Sequence, residues 1–179
     1  MIGHNHIGKN GRFGNQMFQY AATRGIAAAR GYDFIIPDGP RTDEEFVDEE
    51  NQHKLFMAFD MTGSKNIGLL EASYRKEASF RYDQSIVDEC PDDVNLYGYF
   101  QSEKYFKHIE DQIREDFTFR DEVEENCHNF LDQAVGESDF ITLHVRRTDH
   151  LIKPTFHPVL PISYYEEALG RMPKDIPVV

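Results

Sequence analysis

Residues 139–179 constrain the fold most. Asp139 to Val145 (DFITLHV) predicts a strand, and Ser163 to Met172 predicts a helix with Ser163 and Glu166 spaced as a capping box. Ile176 to Val179 then begins another apolar strand. Strand, helix and strand in that order form a β-α-β unit, whose parallel strands need further helices and strands to bury both faces. The sequence supplies none after Val179, so the expectation is a chain cut inside a sheet, with an unfinished edge that invites self-association.

The amino-terminal part repeats the α/β theme. Residues 15–30 (NQMFQYAATRGIAAAR) place Met17, Phe18, Ala21, Ala22, Ile26 and Ala29 at helical spacing, and Gly31 stands where a left-handed cap ends a helix. Tyr32 to Ile36 predicts a short strand stopped by Pro37. Residues 38–52 are acidic and nearly devoid of apolar side chains, the pattern of a solvated surface excursion. In the stretch that follows, Ala78 to Tyr82 is a candidate strand. Val94 to Phe100 predicts a strand running into a helix with Tyr105, Phe106, Ile109, Ile113 and Phe117 on one face. Asp121 can cap another helix, in which Val123, Cys127, Leu131 and Val135 form a stripe expected to be core.

Composition narrows the function classes. At 179 residues with 40% hydrophobic and 28% charged residues, the chain has the make-up of a folded globular protein. Its formal charge of −13, from 19 Lys+Arg against 32 Asp+Glu, argues against nucleic acid as a partner, since the basic residues form no stripe. No apolar run approaches the ~20 residues of a membrane-spanning helix, and the first residues lack the apolar region of a secretory signal, so a cytoplasmic protein is expected. Two distant cysteines, Cys90 and Cys127, make neither a disulfide framework nor a zinc site.

Two segments carry candidate chemistry. Gly11-Arg12-Phe13-Gly14-Asn15-Gln16 immediately precedes the first helix. Its glycines let backbone approach a ligand, and the free N–H groups and positive end of the helix favour an anion, so a phosphate or sugar could dock there; a plain helix-start turn would have the same spacing. His144-Val145-Arg146-Arg147-Thr148-Asp149 lies at the carboxyl end of the strand that opens the β-α-β unit, where ligands of open α/β sheets bind. One guanidinium can face that crevice while the other braces the loop, and Asp149 can orient a guanidinium fork or Thr148. A solvated salt-bridge cluster is the competing reading. His4 and His6 are spaced like metal ligands but have no evident third partner, and no Asp-x-Asp pair is present to hold a divalent ion on a nucleotide-sugar diphosphate.

Taken together, GRFGNQMFQYA (Gly11 to Ala21), HVRRTD (His144 to Asp149) and LPISYYEEAL (Leu160 to Leu169) resemble, in order and spacing, glycosyltransferase family 11, the α-1,2-fucosyltransferases. The first segment is also similar to protein O-fucosyltransferases, and the second to α-1,6-fucosyltransferases.

The resemblance implies a GT-B-like fold of two facing α/β domains and an inverting, metal-independent, cofactor-free transfer of L-fucose from GDP-fucose to a galactose hydroxyl of a glycan. On that basis residues 1–137 would form the acceptor-side α/β domain, and 138–179 the start of an incomplete Rossmann-like donor domain. Arg146 and Arg147 would meet the donor diphosphate, one of them stabilising the departing β-phosphate. His144, Thr148 and Asp149 would set the motif's geometry, with Asp149 a formal candidate for general base. Gly11, Arg12, Phe13, Gly14, Asn15 and Gln16 would approach the diphosphate or fucose from the other domain. The implied partners are GDP-fucose and a galactoside-terminated glycan, with peripheral membrane association if that glycan is lipid-linked. A non-catalytic nucleotide-sugar or carbohydrate-binding remnant is the alternative. Two departures from the family pattern stand out. The polar start MIGHNHIGKN replaces an apolar first strand, which is therefore expected to be irregular or missing, and the donor domain is expected to be shorter than in family members.

Overall fold

The computed structural model describes residues 1–37, 54–146 and 158–179. The acidic segment 38–52 and the motif residues Arg147, Thr148 and Asp149 lie outside the described residues. The chain divides into two compact units, Met1–Val123 and Glu124–Val179.

In the first unit, β1 (Ile2–Gly3) leads through a long turn into α1 (Phe13–Arg30), followed by β2 (Phe34–Ile35), α2 (Leu55–Ala58), β3 (Ser73–Lys76), α3 (Gln84–Asp88) and β4 (Val94–Tyr97). Two 3-10 turns, Glu103–Tyr105 and Lys107–Ile109, then precede α4 (Glu110–Asp116). Among the described residues the strands form one parallel sheet in the order β2-β1-β4-β3, with Ile2 opposite both Phe34 and Val94. The polar amino terminus thus supplies a real strand at the sheet's centre. Two residues suffice because Ile2 is fully buried against the helix layer, while Gly3 leaves room for its neighbours. A Cβ on Gly3 would lie 2.5 Å from Asn95 Oδ1 and 2.9 Å from Leu70 Cβ.

The helix α1 is built as its alanine-rich spacing dictates. It ends in a Schellman cap: Gly31 is left-handed at φ 69°, its N–H donates to Ala28 O, and Tyr32 N–H donates to Ala27 O. Gly25, in mid-helix, has a packing reason. A Cβ there would sit 2.2 Å from Tyr105 O, so the missing side chain lets α1 lie directly on the backbone of the 3-10 turns. Ala22 and Ile26 pack with Ile2, Val94, Leu96, Phe100 and Tyr105 in one core cluster. Tyr20 and Ala21 join Ile36, Leu55, Phe59, Ile109 and Ile113 in a second.

Where the second cluster meets polar groups, the fold contains a buried carboxylate. Asp116, 1% exposed at the end of α4, pairs with the Arg24 guanidinium. It also accepts from Tyr20 OH at 2.5 Å and from Gly63 N at 2.7 Å. Burial pushes the Tyr20 hydroxyl's pKa up, which keeps it a neutral donor to the carboxylate.

Several sequence expectations shift. The strand lies at Ser73–Lys76 rather than Ala78–Tyr82, because pairing with β4 sets it, from Ser73 opposite Val94 to Lys76 opposite Tyr97. It is an edge strand with mostly exposed side chains, so no hydrophobic pattern marks it. The apolar face from Tyr105 to Phe117 is kept, but the backbone beneath it is two 3-10 turns and a short helix rather than one continuous helix.

The helix α5 (Asp121–Ala134) runs across the boundary between the units. None of its residues is buried and Cys127 is exposed, so the Val123-Cys127-Leu131-Val135 stripe is not core. Periodicity defines a face of a helix, not the layer that would cover it.

In the second unit, α6 (Ile162–Gly170) lies between the paired segments 141–143 and 177–179. Ile141 N donates to Pro177 O at 2.9 Å, Val179 N to Ile141 O at 2.8 Å and Leu143 N to Val179 O at 2.8 Å, a parallel pairing in the expected sense but an isolated bridge rather than the strands expected over 139–145 and 176–179. The expected Ser163–Glu166 capping box is absent. Extended Pro161 occupies the cap position without a side-chain bond, which places Ser163 inside the first turn. Among the described residues, no helix is long and apolar enough to cross a membrane.

Removing the charge on Asp116 leaves the Arg24 guanidinium in a mostly dehydrated site without its counter-ion. Asp116→Asn should lower unfolding stability by about 3 kcal/mol. Urea denaturation would register this as a lower midpoint with an unchanged slope.

Candidate functional site

Because the strands of the first unit are parallel, the segments leaving β1, β3 and β4 emerge at one edge of the sheet, where α/β folds place their ligands. The segment after β1 makes the glycine turn. Gly11 is left-handed at φ 88°, and a Cβ there would lie 2.3 Å from Asn15 Nδ2, so the Asn15 side chain folds across the turn. Asn15 Oδ1 accepts from Gln101 Nε2 at 2.6 Å, which ties the turn to the segment after β4.

The six residues of the turn have different positions. The Phe13 ring stacks on Phe59 at 5.5 Å and 17°, anchoring the start of α1 to the core. Gln16 is fully buried and its Oε1 accepts from Lys54 N at 2.9 Å. Gly14 is exposed, with nothing within 4 Å of where a Cβ would stand, while Arg12 and Asn15 are half-buried. No side-chain bond caps the helix and no acidic residue lies in its first turn, so the positive end of an 18-residue helix opens beside Gly14 and Asn15.

Below the turn lies a hydrogen-bond web with no sequence signature. The Gly98 carbonyl accepts from His4 Nε2 at 3.2 Å and from Gln19 Nε2 at 3.1 Å, and Gln19 Nε2 also reaches Asn10 O at 2.9 Å. The carbonyl can only accept, so the His4 proton sits on Nε2. The Glu77 carboxylate, at the end of β3, accepts from Tyr99 N at 2.8 Å and Phe100 N at 3.1 Å. It thereby holds Phe100 at φ 51°, an unusual conformation for a non-glycine residue. Asn5 clamps Leu70 in both directions, at 2.9 and 3.1 Å. His4, Gln19, Glu77 and Gln101 are the positioning residues that motif reading misses. The one available signal is the density of polar residues around the turn at positions that packing would otherwise give to apolar ones.

His144, Val145 and Arg146 follow the carboxyl end of the 141–143 segment in the second unit, and all three are exposed. Gly11–Gln16 belong to the first unit and His144–Arg146 to the second. Among the described residues, no three His, Cys, Asp or Glu side chains converge as metal ligands.

Burial depresses the His4 pKa to about 4 from its ordinary 6.5. The folded state therefore binds fewer protons than the unfolded one between those values, so stability is full above pH 6.5 and falls as the pH drops toward 4. The loss should reach about 3 kcal/mol, from ~2.5 pKa units at 1.36 kcal/mol each. His4→Gln should remove this part of the slope, measurable by urea midpoints across that pH range.

Comparison with known proteins places this arrangement in a family. The Glycosyl transferase family 11 profile matches residues 1–179. The pig Galactoside alpha-(1,2)-fucosyltransferase 1 is 28% identical over 156 residues, covering 79% of this chain and 38% of its own length. An Escherichia coli Alpha-1,2-colitosyltransferase is 26% identical over 79% of this chain and 53% of its own. The Escherichia coli O-antigen biosynthesis glycosyltransferase WbnK is 24% identical over 89% of this chain and 65% of its own. The chain thus spans between 38% and 65% of the length of these relatives. No solved structure matches it significantly. With the match running from the first residue to the last, the chain belongs to glycosyl transferase family 11.

Proposed function

We propose that the chain serves an inverting, metal-independent α-1,2-fucosyltransferase that moves L-fucose from GDP-fucose to a galactose hydroxyl of a glycan. The observation that carries the reading is the family match along the whole chain, which includes both the glycine turn and the arginine motif. The α-1,2 linkage recurs in the names of the pig enzyme and the colitosyltransferase, although the sugar they transfer differs. That recurrence favours α-1,2 over the α-1,6 and protein O-linked alternatives.

In this reading residues 1–137 are the acceptor side and 138–179 begin the donor side. As the bond between fucose C1 and the β-phosphate oxygen breaks, negative charge grows on the diphosphate and positive charge on the sugar ring. Arg146 and Arg147 supply guanidinium forks to the diphosphate, which stabilise the leaving group where the charge develops. The start of α1, with Gly14 and Asn15 and no side-chain cap, is a second group suited to an anion. The acceptor hydroxyl attacks C1 on the face opposite GDP and gives its proton to a general base, for which Asp149 is the candidate. The setting is cytoplasmic, at a membrane where the acceptor glycan is lipid-linked.

Calorimetric titration with GDP and GMP tests the reading. GDP should bind at least tenfold more tightly than GMP, and a chelator should leave that affinity unchanged. Arg146→Ala and Arg147→Ala should each weaken GDP binding about tenfold, equivalent to ~1.4 kcal/mol. Equal affinity for GDP and GMP, or arginine variants that bind as the parent does, would count against it.

A further inference from the structure

Within the first unit, α1 and the segment from Glu103 to Phe117 part beside the first half of the helix and border a cleft of about 480 Å³. Its walls are Met17, Phe18 and Ala21 on α1, facing Phe106, Ile113 and Phe117. Gly14, Phe18, Ala21 and Gly25 recur at helical spacing, so the cleft follows one face of α1. At the Gly25 end that face is shut. A Cβ on Gly25 would lie 2.2 Å from Tyr105 O, His108 Nε2 donates to Gly25 O at 3.0 Å, and Arg24 Nη1 donates to Gln112 O at 3.1 Å. Toward Gly14 the face is open, with nothing within 4 Å of where a Cβ would stand.

The chemistry of the cleft narrows what it can hold. The charged residues at its rim are taken up by one another: Lys107 Nζ lies 3.2 Å from Glu110 and 3.7 Å from Glu103, and Arg114 Nη2 lies 2.7 Å from Glu110. Two acids and two bases cancel, so the rim selects neither an anion nor a cation. Between the walls a polar group would lose water and find no partner. The volume lies within the ~300–1,000 Å³ of small-molecule sites. A partner's helix would need a groove open at both ends, which the contact at Gly25 denies. A flat aromatic ligand would need a parallel slot, whereas the Phe18 and Phe106 rings meet at 61° with centres 6.1 Å apart. A flexible apolar chain can follow such a wall and stop at a closed end.

We infer that this cleft is a binding site for the alkyl chain of a small uncharged amphiphile, its tail against Ala21 and Ile113 and its polar head at the rim. The site stands apart from the transferase reading, since neither the donor diphosphate nor the arginine motif takes part in it.

Methyl NMR on the 179-residue chain, with carbon-13 at the methionine Cε, tests the site with 1-octanol as the probe. Met17 lines the cleft, whereas Met57 and Met172 are exposed elsewhere on the chain. Octanol should shift the Met17 methyl along a saturating curve and leave Met57 and Met172 in place, with Met17→Leu identifying the signal. 1-Butanol, which buries less chain, should bind about tenfold more weakly or worse. Phe18→Glu, a charge placed at a partly exposed wall position, should also weaken octanol about tenfold, while Phe80→Glu, at an exposed position outside the cleft, should leave it unchanged. An unmoved Met17 methyl, equal shifts at the exposed methionines, or equal affinity for the two alcohols overturns the inference. So does full octanol affinity in a folded Phe18→Glu chain, and so does a Met17 shift that follows protein concentration instead of octanol, which would place a second copy in the cleft. The titrations of the parent chain decide the matter even where Phe18→Glu does not fold.

Discussion

A single carbonyl oxygen, that of Gly98, fixes the working edge of the first unit. It accepts from His4 at the end of the central strand and from Gln19 on α1. Strand, helix and the segment after β4 are thereby referred to one point beside the buried His4 and Gln19 side chains, where an unmade hydrogen bond would be costly. The Gly98 position itself must be glycine, because a Cβ would lie 2.5 Å from Glu77 Cβ. Glu77 in turn holds the two following backbone N–H groups, and Gln101 passes the alignment on to Asn15. The glycine turn is therefore held by a scaffold from three strands rather than by its own sequence.

Inside the turn, the same physics sorts anchors from groups that can meet a ligand. Phe13 and Gln16 point into the protein and secure α1, while Gly14 and Asn15 stand at the open, positive end of the helix. An anion approaching that end would meet backbone dipoles that require no reorganisation. With a formal charge of −13, the chain as a whole repels polyanions, so binding of a diphosphate would have to come from such local, directed groups.

Legibility in the sequence follows the range of each interaction. Helix α1 and its Gly31 cap are readable because both are set by neighbours within a few residues, and the parallel pairing of 141–143 with 177–179 because two apolar segments flank one helical stretch. Strand β1 is not: two residues carry no periodicity, and its place at the sheet's centre depends on Asn95 and Leu70. Strand β3 differs from the expected Ala78–Tyr82 because an edge strand carries its information in backbone pairing with β4. At the site, the motif locates the turn before α1. The partners that make it rigid, Gln101 on Asn15 and Gln19 on Gly98, act across 86 and 79 residues and leave no local trace. The α5 stripe shows the converse, a clear pattern with no buried residue behind it.

The central proposal is that the glycine turn at the start of α1, held in place by the Gly98 carbonyl, meets the diphosphate of the donor. Hydrogen-deuterium exchange with and without saturating GDP tests it most directly. The account predicts slowed exchange in peptides covering Gly11–Gln16, with α5 unchanged. Exchange at Gly11–Gln16 that GDP leaves unchanged would contradict it.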